Sequence, residues 1–309
     1  MRDYRIMAMM KRAKKCVLAG ALAAALSAAA FAVYAEDAPA PDAPDFSQMC
    51  RQLETLLEEE NTAVSFNAAA VQAAPGYHPA APAGESSDAA EGEEQPQGPD
   101  RDRFMADIKN AYNARLSVLH RYESFPTMKQ DTYDTFRFLC VEAERPFYEA
   151  YADAKFENKN YQSLCDRYIK GLKDQLDAEA LWREGGDKKE IEALYYEGYD
   201  VRAGVLLELQ AFYFSGEEDG LEDADELESS LRLDEIVPKG VEKNKDVSAD
   251  LVSRVQSGLN ENGYECGTAD GQAGTNTVLA ICHFQLDSGG TPDGIADEEL
   301  AGQLGKPAE

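Results

Sequence analysis

Apolar residues recur along this chain at the three-to-four spacing of amphipathic helices, and the alternation of a strand is nowhere sustained. Phe46, Met49, Leu53, Leu56 and Leu57 mark one face of a helix from about Phe46 to Glu60. Phe104, Ile108, Ala111, Tyr112 and Leu119 form a second stripe. Phe136, Cys140, Ala143, Phe147, Tyr151 and Ala154 form a third, with Asp131 as N-cap, Asp134 in the first turn and Pro146 placed to kink or split it. Tyr161, Leu164, Cys165, Tyr168, Leu172 and Leu176 make a fourth, and Ile191, Leu194, Tyr195, Val201, Val205, Leu209 and Phe212 a fifth. Short connections such as Glu157 to Asn160 favour antiparallel neighbours. Residues 101–214 therefore read as a helical bundle, on which the Phe46 helix can dock. The predicted fold class is all-α.

The last sixty residues carry a different pattern. Leu251, Val255 and Leu259 share a helical face, with Ser248 as N-cap and Asn262-Gly263 as the stop. Asp270-Gly271 is a turn, and Gly274 is a second position without a side chain. Val278, Ile281 and Phe284, with Ala280 and Cys282 beside them, predict a second helix. Pro292-Asp293-Gly294 is another turn, and Ala296 to Leu304 a short third helix with Leu300 and Leu304 facing inward. This is a small three-helix unit with two Asp-Gly loops.

The segments between these elements are of other kinds. Residues 36–62 combine a short Pro-containing linker with the Phe46 helix. Residues 63–100 turn to Ala, Pro, Gly, Glu and Gln, which bury too little surface to offset chain entropy, so disorder is expected there. Residues 215–247 read as an acidic linker, solvated and self-repelling.

The C-terminal pattern resembles the peptidoglycan-binding domain family, the helical modules appended to many bacterial cell-wall hydrolases. Gln256, Leu259, Gly263, Tyr264, Asp270, Gly271, Gly274, Thr277, Ala280, Phe284, Gln285, Asp293, Gly294 and Leu300 fall on the family pattern in order and spacing. The resemblance covers residues 248–305, and implies a three-helix fold and peptidoglycan as partner. Each matched residue serves the fold first, and ligand contact second. The chain departs from the pattern at Ala273, where members usually carry an aromatic or large apolar residue, and in having no Lys or Arg on the second helix.

Charge and address fit that reading. Lys11, Arg12, Lys14 and Lys15 precede an uncharged Ala/Leu/Val run, Cys16 to Ala35, that ends Val33-Tyr34-Ala35. Residues 1–35 thus read as a secretory signal peptide, with an uncleaved membrane anchor as the alternative. The expected location is secreted, at the cell wall or otherwise extracytoplasmic. The net charge of −28 excludes nucleic acid as a natural ligand, because its affinity comes from neutralising phosphates with Lys and Arg.

Five cysteines follow the signal segment: Cys50, Cys140, Cys165, Cys266 and Cys282. An exported chain permits disulfides. Cys266 and Cys282 both lie in the small module, and a bridge between them, closing a loop of ~15 residues, would add ~3 kcal/mol to its thin core. That bridge is predicted. No close Cys-x-x-Cys or His pair supplies a zinc site, and no metal or other cofactor is expected.

The residues bearing chemistry are few. His78, His120 and His283 are the histidines, and none sits in a His-Glu-x-x-His or nucleophile-elbow setting. Cys140 or Cys165 with His120 would be a thiol nucleophile and base, but both cysteines lie on apolar stripes. Glu123-Ser124 superficially matches the Glu-Ser of lytic transglycosylases without their companion signature. The expected function is a non-catalytic, exported, wall-binding protein, with the bundle facing a further partner. The alternatives are a cell-wall hydrolase with an unfamiliar helical active site, and a protein–protein adaptor whose module no longer binds glycan.

Overall fold

The computed structural model describes residues 46–60, 101–122, 128–214 and 220–305. The signal-peptide and 63–100 readings, His78 and Glu123-Ser124 lie outside them. The described residues are helical, with no strand among them. The helices are α1 (Phe46–Glu60), α2 (Arg101–Tyr122), α3 (Gln130–Glu142), α4 (Arg145–Tyr151), α5 (Lys159–Arg183), α6 (Lys188–Phe212), α7 (Leu233–Asn244), α8 (Ala249–Glu261), α9 (Thr275–Asp287) and α10 (Glu298–Leu304). No helix among the described residues is long and apolar enough to cross a membrane.

The bundle is built by α1 to α6. Met49, Leu53 and Leu57 of α1 are buried in the same core as Phe104, Ile108, Phe138, Phe147, Leu164, Tyr168 and Leu172. The third stripe divides where Pro146 requires it. Proline has no N–H to give and fits the first turn of α4, so α3 ends at Glu142. The α3 cap falls at Lys129 rather than Asp131, without a capping side chain; Asp131 instead sits in the first turn, where a negative charge suits the helix dipole.

Helices α5 and α6 form a long antiparallel hairpin. Asn158 caps α5 by accepting from the Asn160 amide at 2.8 Å, and Asp187 caps α6 by accepting from Lys189 and Glu190. The helices meet at Gly171 and Gly198, where a Cβ on Gly171 would lie 2.6 Å from the Gly198 carbonyl oxygen. That close approach seats Arg202, 2% exposed, inside the core. Its guanidinium donates to both oxygens of Glu144, which is fully buried at the α3–α4 break. Arg115 donates to the same carboxylate at 3.2 Å, and the Tyr168 hydroxyl donates to it at 2.6 Å. Burying a carboxylate costs several kcal/mol unless it is paired and hydrogen-bonded, and here three side chains from three helices make four hydrogen bonds to it.

Residues 233–244, expected within a solvated linker, form α7 instead. Leu233 and Val237 are buried against Val278, Leu279 and Cys282 of α9, with Phe212 and Tyr213 at the edge. An apolar stripe inside an acidic stretch thus wins over charge repulsion. Asn244, at the end of α7, donates to the Gly294 carbonyl at 2.7 Å and accepts the Ala296 amide at 2.8 Å.

The module itself is α8, α9 and α10. Val252, Val255, Leu259, Ala280, Ile281, Leu300 and Leu304 form its core. Ser248 caps α8 as expected, accepting from the Leu251 amide, and Asp297 caps α10, which starts at Glu298 rather than Ala296. Helix α9 is buried on two sides, and this separates Cys266 from Cys282. Cys266 lies in the module's own core and Cys282 in the cluster with α7. The expected disulfide is therefore not formed: both thiols are free and buried. Cys266 Sγ sits 3.5 Å from the Gln256 carbonyl and the Asn260 side-chain oxygen. Burial pushes the Cys282 thiol up to about 12.

Bundle and module lie within one compact unit, Phe46–Glu309. The Lys159 amide donates to the Gly263 carbonyl at 2.9 Å, Asn160 Nδ2 to the Glu265 carbonyl at 2.9 Å, and Ser163 Oγ to Asp287 Oδ1 at 2.8 Å.

Candidate functional site

The matched residues of the module fall into two constructions of the same kind. In the first, Gln256 of α8, 1% exposed, points into the Asp270-Gly271 loop. Its Oε1 accepts the Gly271 amide at 2.9 Å, and its Nε2 donates to Asp270 Oδ1, the Gln272 carbonyl and Thr277 Oγ1 at 3.1–3.2 Å. In the second, Gln285 of α9 holds the Asp293-Gly294 loop. Its Oε1 accepts both loop amides at 3.0 and 3.1 Å, and its Nε2 donates to Asp293 Oδ1 at 2.8 Å. Each aspartate also accepts from the amide two residues on, Gln272 for Asp270 and Ile295 for Asp293. Gly271 and Gly294 both have positive φ, 78° and 69°.

The remaining matched residues complete the frame. Leu259, Ala280 and Leu300 are core. Gly263, φ 85°, ends α8. Tyr264 stands edge-on to Phe284 with ring centroids 5.5 Å apart and donates its hydroxyl to Asp287 at 2.9 Å.

The first loop borders an open groove of about 340 Å³ lined by Gln256, Cys266, Thr268, Asp270, Gln272, Gly274, Thr275, Asn276 and Thr277. Gln256 and Thr277 form its buried floor, and Thr268, Asp270, Gln272, Thr275 and Asn276 its exposed rim. Gly274 is the N-cap of α9 with an ordinary φ of −75°, and open space lies where its Cβ would be. The glycine keeps the mouth of the groove clear; backbone strain does not demand it. Asp270 is the one carboxylate in this lining. Hydrogen bonds from the Gln272 amide and the Gln256 side chain hold it below its ordinary value, so it is ionised and suits accepting rather than giving a proton.

Acid chemistry on a glycan needs a carboxyl of raised pKa in a cleft. The described carboxyl that is raised is Glu179, pushed up to about 9 by burial and by the neighbouring Glu142 carboxylate. It is 1% exposed inside the bundle, among Glu142, Arg145 and Arg183. Cys140 and Cys165 are pushed by burial up to about 12, unsuited to nucleophilic attack. His120 bonds Asp223 at 3.0 Å on the surface; with Glu222 these form the one His/carboxylate cluster of metal-ligand compactness among the described residues.

Sequence reasoning missed what surrounds His283. It is fully buried, with Glu208 Oε1 2.5 Å from Nε2 and Asn160 Oδ1 3.1 Å from Nδ1. The available signal was a polar residue, Glu208, inside the apolar run from Val205 to Leu209.

Residues 248–304 match the family model described as a peptidoglycan binding domain. The match covers the module and leaves α1 to α7 unassigned. No curated protein and no solved structure matches the chain.

Proposed function

We propose that this is an exported, non-catalytic cell-wall protein that binds peptidoglycan through the Thr268–Thr277 groove. The observation that carries the reading is the groove itself. A loop pinned from beneath by Gln256 presents hydroxyls and amides of Thr268, Gln272, Thr275 and Asn276, without a cation and with one ionised carboxylate. Such a rim matches uncharged sugar hydroxyls and amide groups, which exchange hydrogen bonds in both directions. The family match over the same residues supplies the ligand class.

The helical bundle carries the module, because α7 and the α5 N-terminus are packed into it. Any further partner would meet the bundle's outer surface. Export rests on the N-terminal sequence and on the ligand's location outside the bacterial membrane.

Co-sedimentation with purified peptidoglycan tests the reading. The full chain is expected to pellet with the wall, and a Thr268→Ala, Gln272→Ala, Asn276→Ala triple variant to lose at least tenfold in affinity. Release of soluble fragments from the wall would instead make the protein a hydrolase. Equal pelleting of the triple variant would move the site elsewhere.

A further inference from the structure

A buried histidine ring lies between bundle and module, away from the groove. His283 of α9 has no exposure, and each ring nitrogen faces an oxygen. Glu208 Oε1, on α6, lies 2.5 Å from Nε2. It belongs to a carboxylate that also accepts from Arg167 Nη2 at 2.8 Å. Asn160 Oδ1, on α5, lies 3.1 Å from Nδ1. The orientation of that amide is set independently, since its nitrogen donates to the Glu265 carbonyl. Both ring nitrogens therefore meet acceptors, and a neutral imidazole has only one N–H to give.

We propose that His283 is held as a buried imidazolium, and that its second proton is the latch fastening the C-terminal module to the helical bundle. The neighbouring groups agree. Glu208 is held down to about 2, despite complete burial, by the charges of Arg167 and the His283 ring. Tyr213 and Cys282, the other titratable groups near this carboxylate, are both pushed upward and stay neutral. Asp287 is engaged separately by Ser163 and Tyr264. One carboxylate thus faces two cations, Arg167 on its own side of the interface and His283 on the module's.

Loss of one ring proton leaves a lone pair against either Glu208 or Asn160 inside a buried contact. That removes a charge-assisted bond and strands a buried acceptor. The contacts beside it, Lys159 to Gly263 and Ser163 to Asp287, cross the same seam. While Glu208 stays ionised, the docked state is then loosened as pH rises and the second proton leaves. This inference does not depend on what the groove binds.

The test is nitrogen NMR of the histidine rings in the full chain, read with amide exchange at Lys159 across a rise in pH. The expected result is two protonated ring nitrogens for His283 in the docked state. Exchange at Lys159 should quicken at least tenfold as the second proton leaves. His283→Gln, which has no proton to lose, should abolish that step in the exchange profile. A single protonated nitrogen in the docked chain overturns the proposal, and so does an exchange profile indifferent to the ring's titration. The ring measurement on the unaltered protein decides the matter even if the variant does not fold.

Discussion

Gln256 stands to the Asp270-Gly271 loop as Gln285 stands to the Asp293-Gly294 loop. Each glutamine caps the glycine amide with its oxygen and the aspartate with its nitrogen. The two differ in depth. Gln256 is 1% exposed, whereas Gln285 is half-buried. Truncating the first strands Thr277 Oγ1 and the Gly271 amide inside the module, while water can replace much of the second. Stranded buried polar groups cost ~1–3 kcal/mol each. Gln256→Ala should therefore destabilise by roughly 2–4 kcal/mol and Gln285→Ala by about 1. Urea unfolding of both variants checks the order.

The glycines of the same loops make a second pair of tests. Gly294 has φ 69°, and a Cβ there would lie 2.5 Å from Val278 Cγ1. Gly274 has open space around its absent Cβ. Gly294→Ala should cost about 2 kcal/mol or more through backbone strain and the clash. Gly274→Ala should leave stability within ~0.5 kcal/mol, yet it narrows the groove and is expected to weaken binding to the wall. Thermal melting and co-sedimentation separate the two effects.

Acid should reveal Glu208. Its carboxyl is held down to about 2, because Arg167 and His283 outweigh the opposing effect of burial. A depressed folded value means stability that is complete above the unfolded value, ~4.3. It is lost as pH falls from there toward about 2. The loss amounts to roughly 3 kcal/mol. Glu208→Gln is expected to be less stable at neutral pH and to show a shallower decline below pH ~4. Denaturation midpoints measured from pH 6 to 2 report it.

Glu179 should behave in the opposite sense. Burial and the contact with Glu142 push it up to about 9, while Arg145 holds Glu142 low. The pair therefore keeps one proton. A raised folded value gives stability that is complete below the unfolded value and lost as pH rises toward about 9. Glu179→Gln supplies that donor permanently. It should be as stable as the wild type or more so at pH 8, and should flatten the alkaline decline. A marked destabilisation would show that the pair is doubly ionised.

How much of this was legible follows from what apolar spacing can carry. Phe46, Met49, Leu53 and Leu57 predicted α1 to its ends, and Pro146 the break between α3 and α4. The C-terminal motif gave the module and its turns. Spacing failed where polar residues are inside: Glu144, Arg202 and Glu208 carry no apolar signal, yet each is buried. It failed again at α7, where composition suggested a linker and Leu233 and Val237 made a core. The Cys266–Cys282 expectation assumed that α9 has one buried face. Once Val278 and Cys282 pack on α7, the two thiols lie on different sides. For the groove, the sequence showed which residues matched and not that Gln256 and Thr277 are floor while Thr268, Gln272 and Asn276 are rim.

The central claim is that the Thr268–Thr277 groove takes up peptidoglycan. Titrating the isotopically labelled full chain with solubilised peptidoglycan fragments, and following every backbone amide, tests it most directly. Saturable shifts confined to residues 266–277 and their contacts in α8, unchanged by added salt, are the predicted result. Shifts confined to α1–α6, or none at fragment concentrations in the millimolar range, would contradict it.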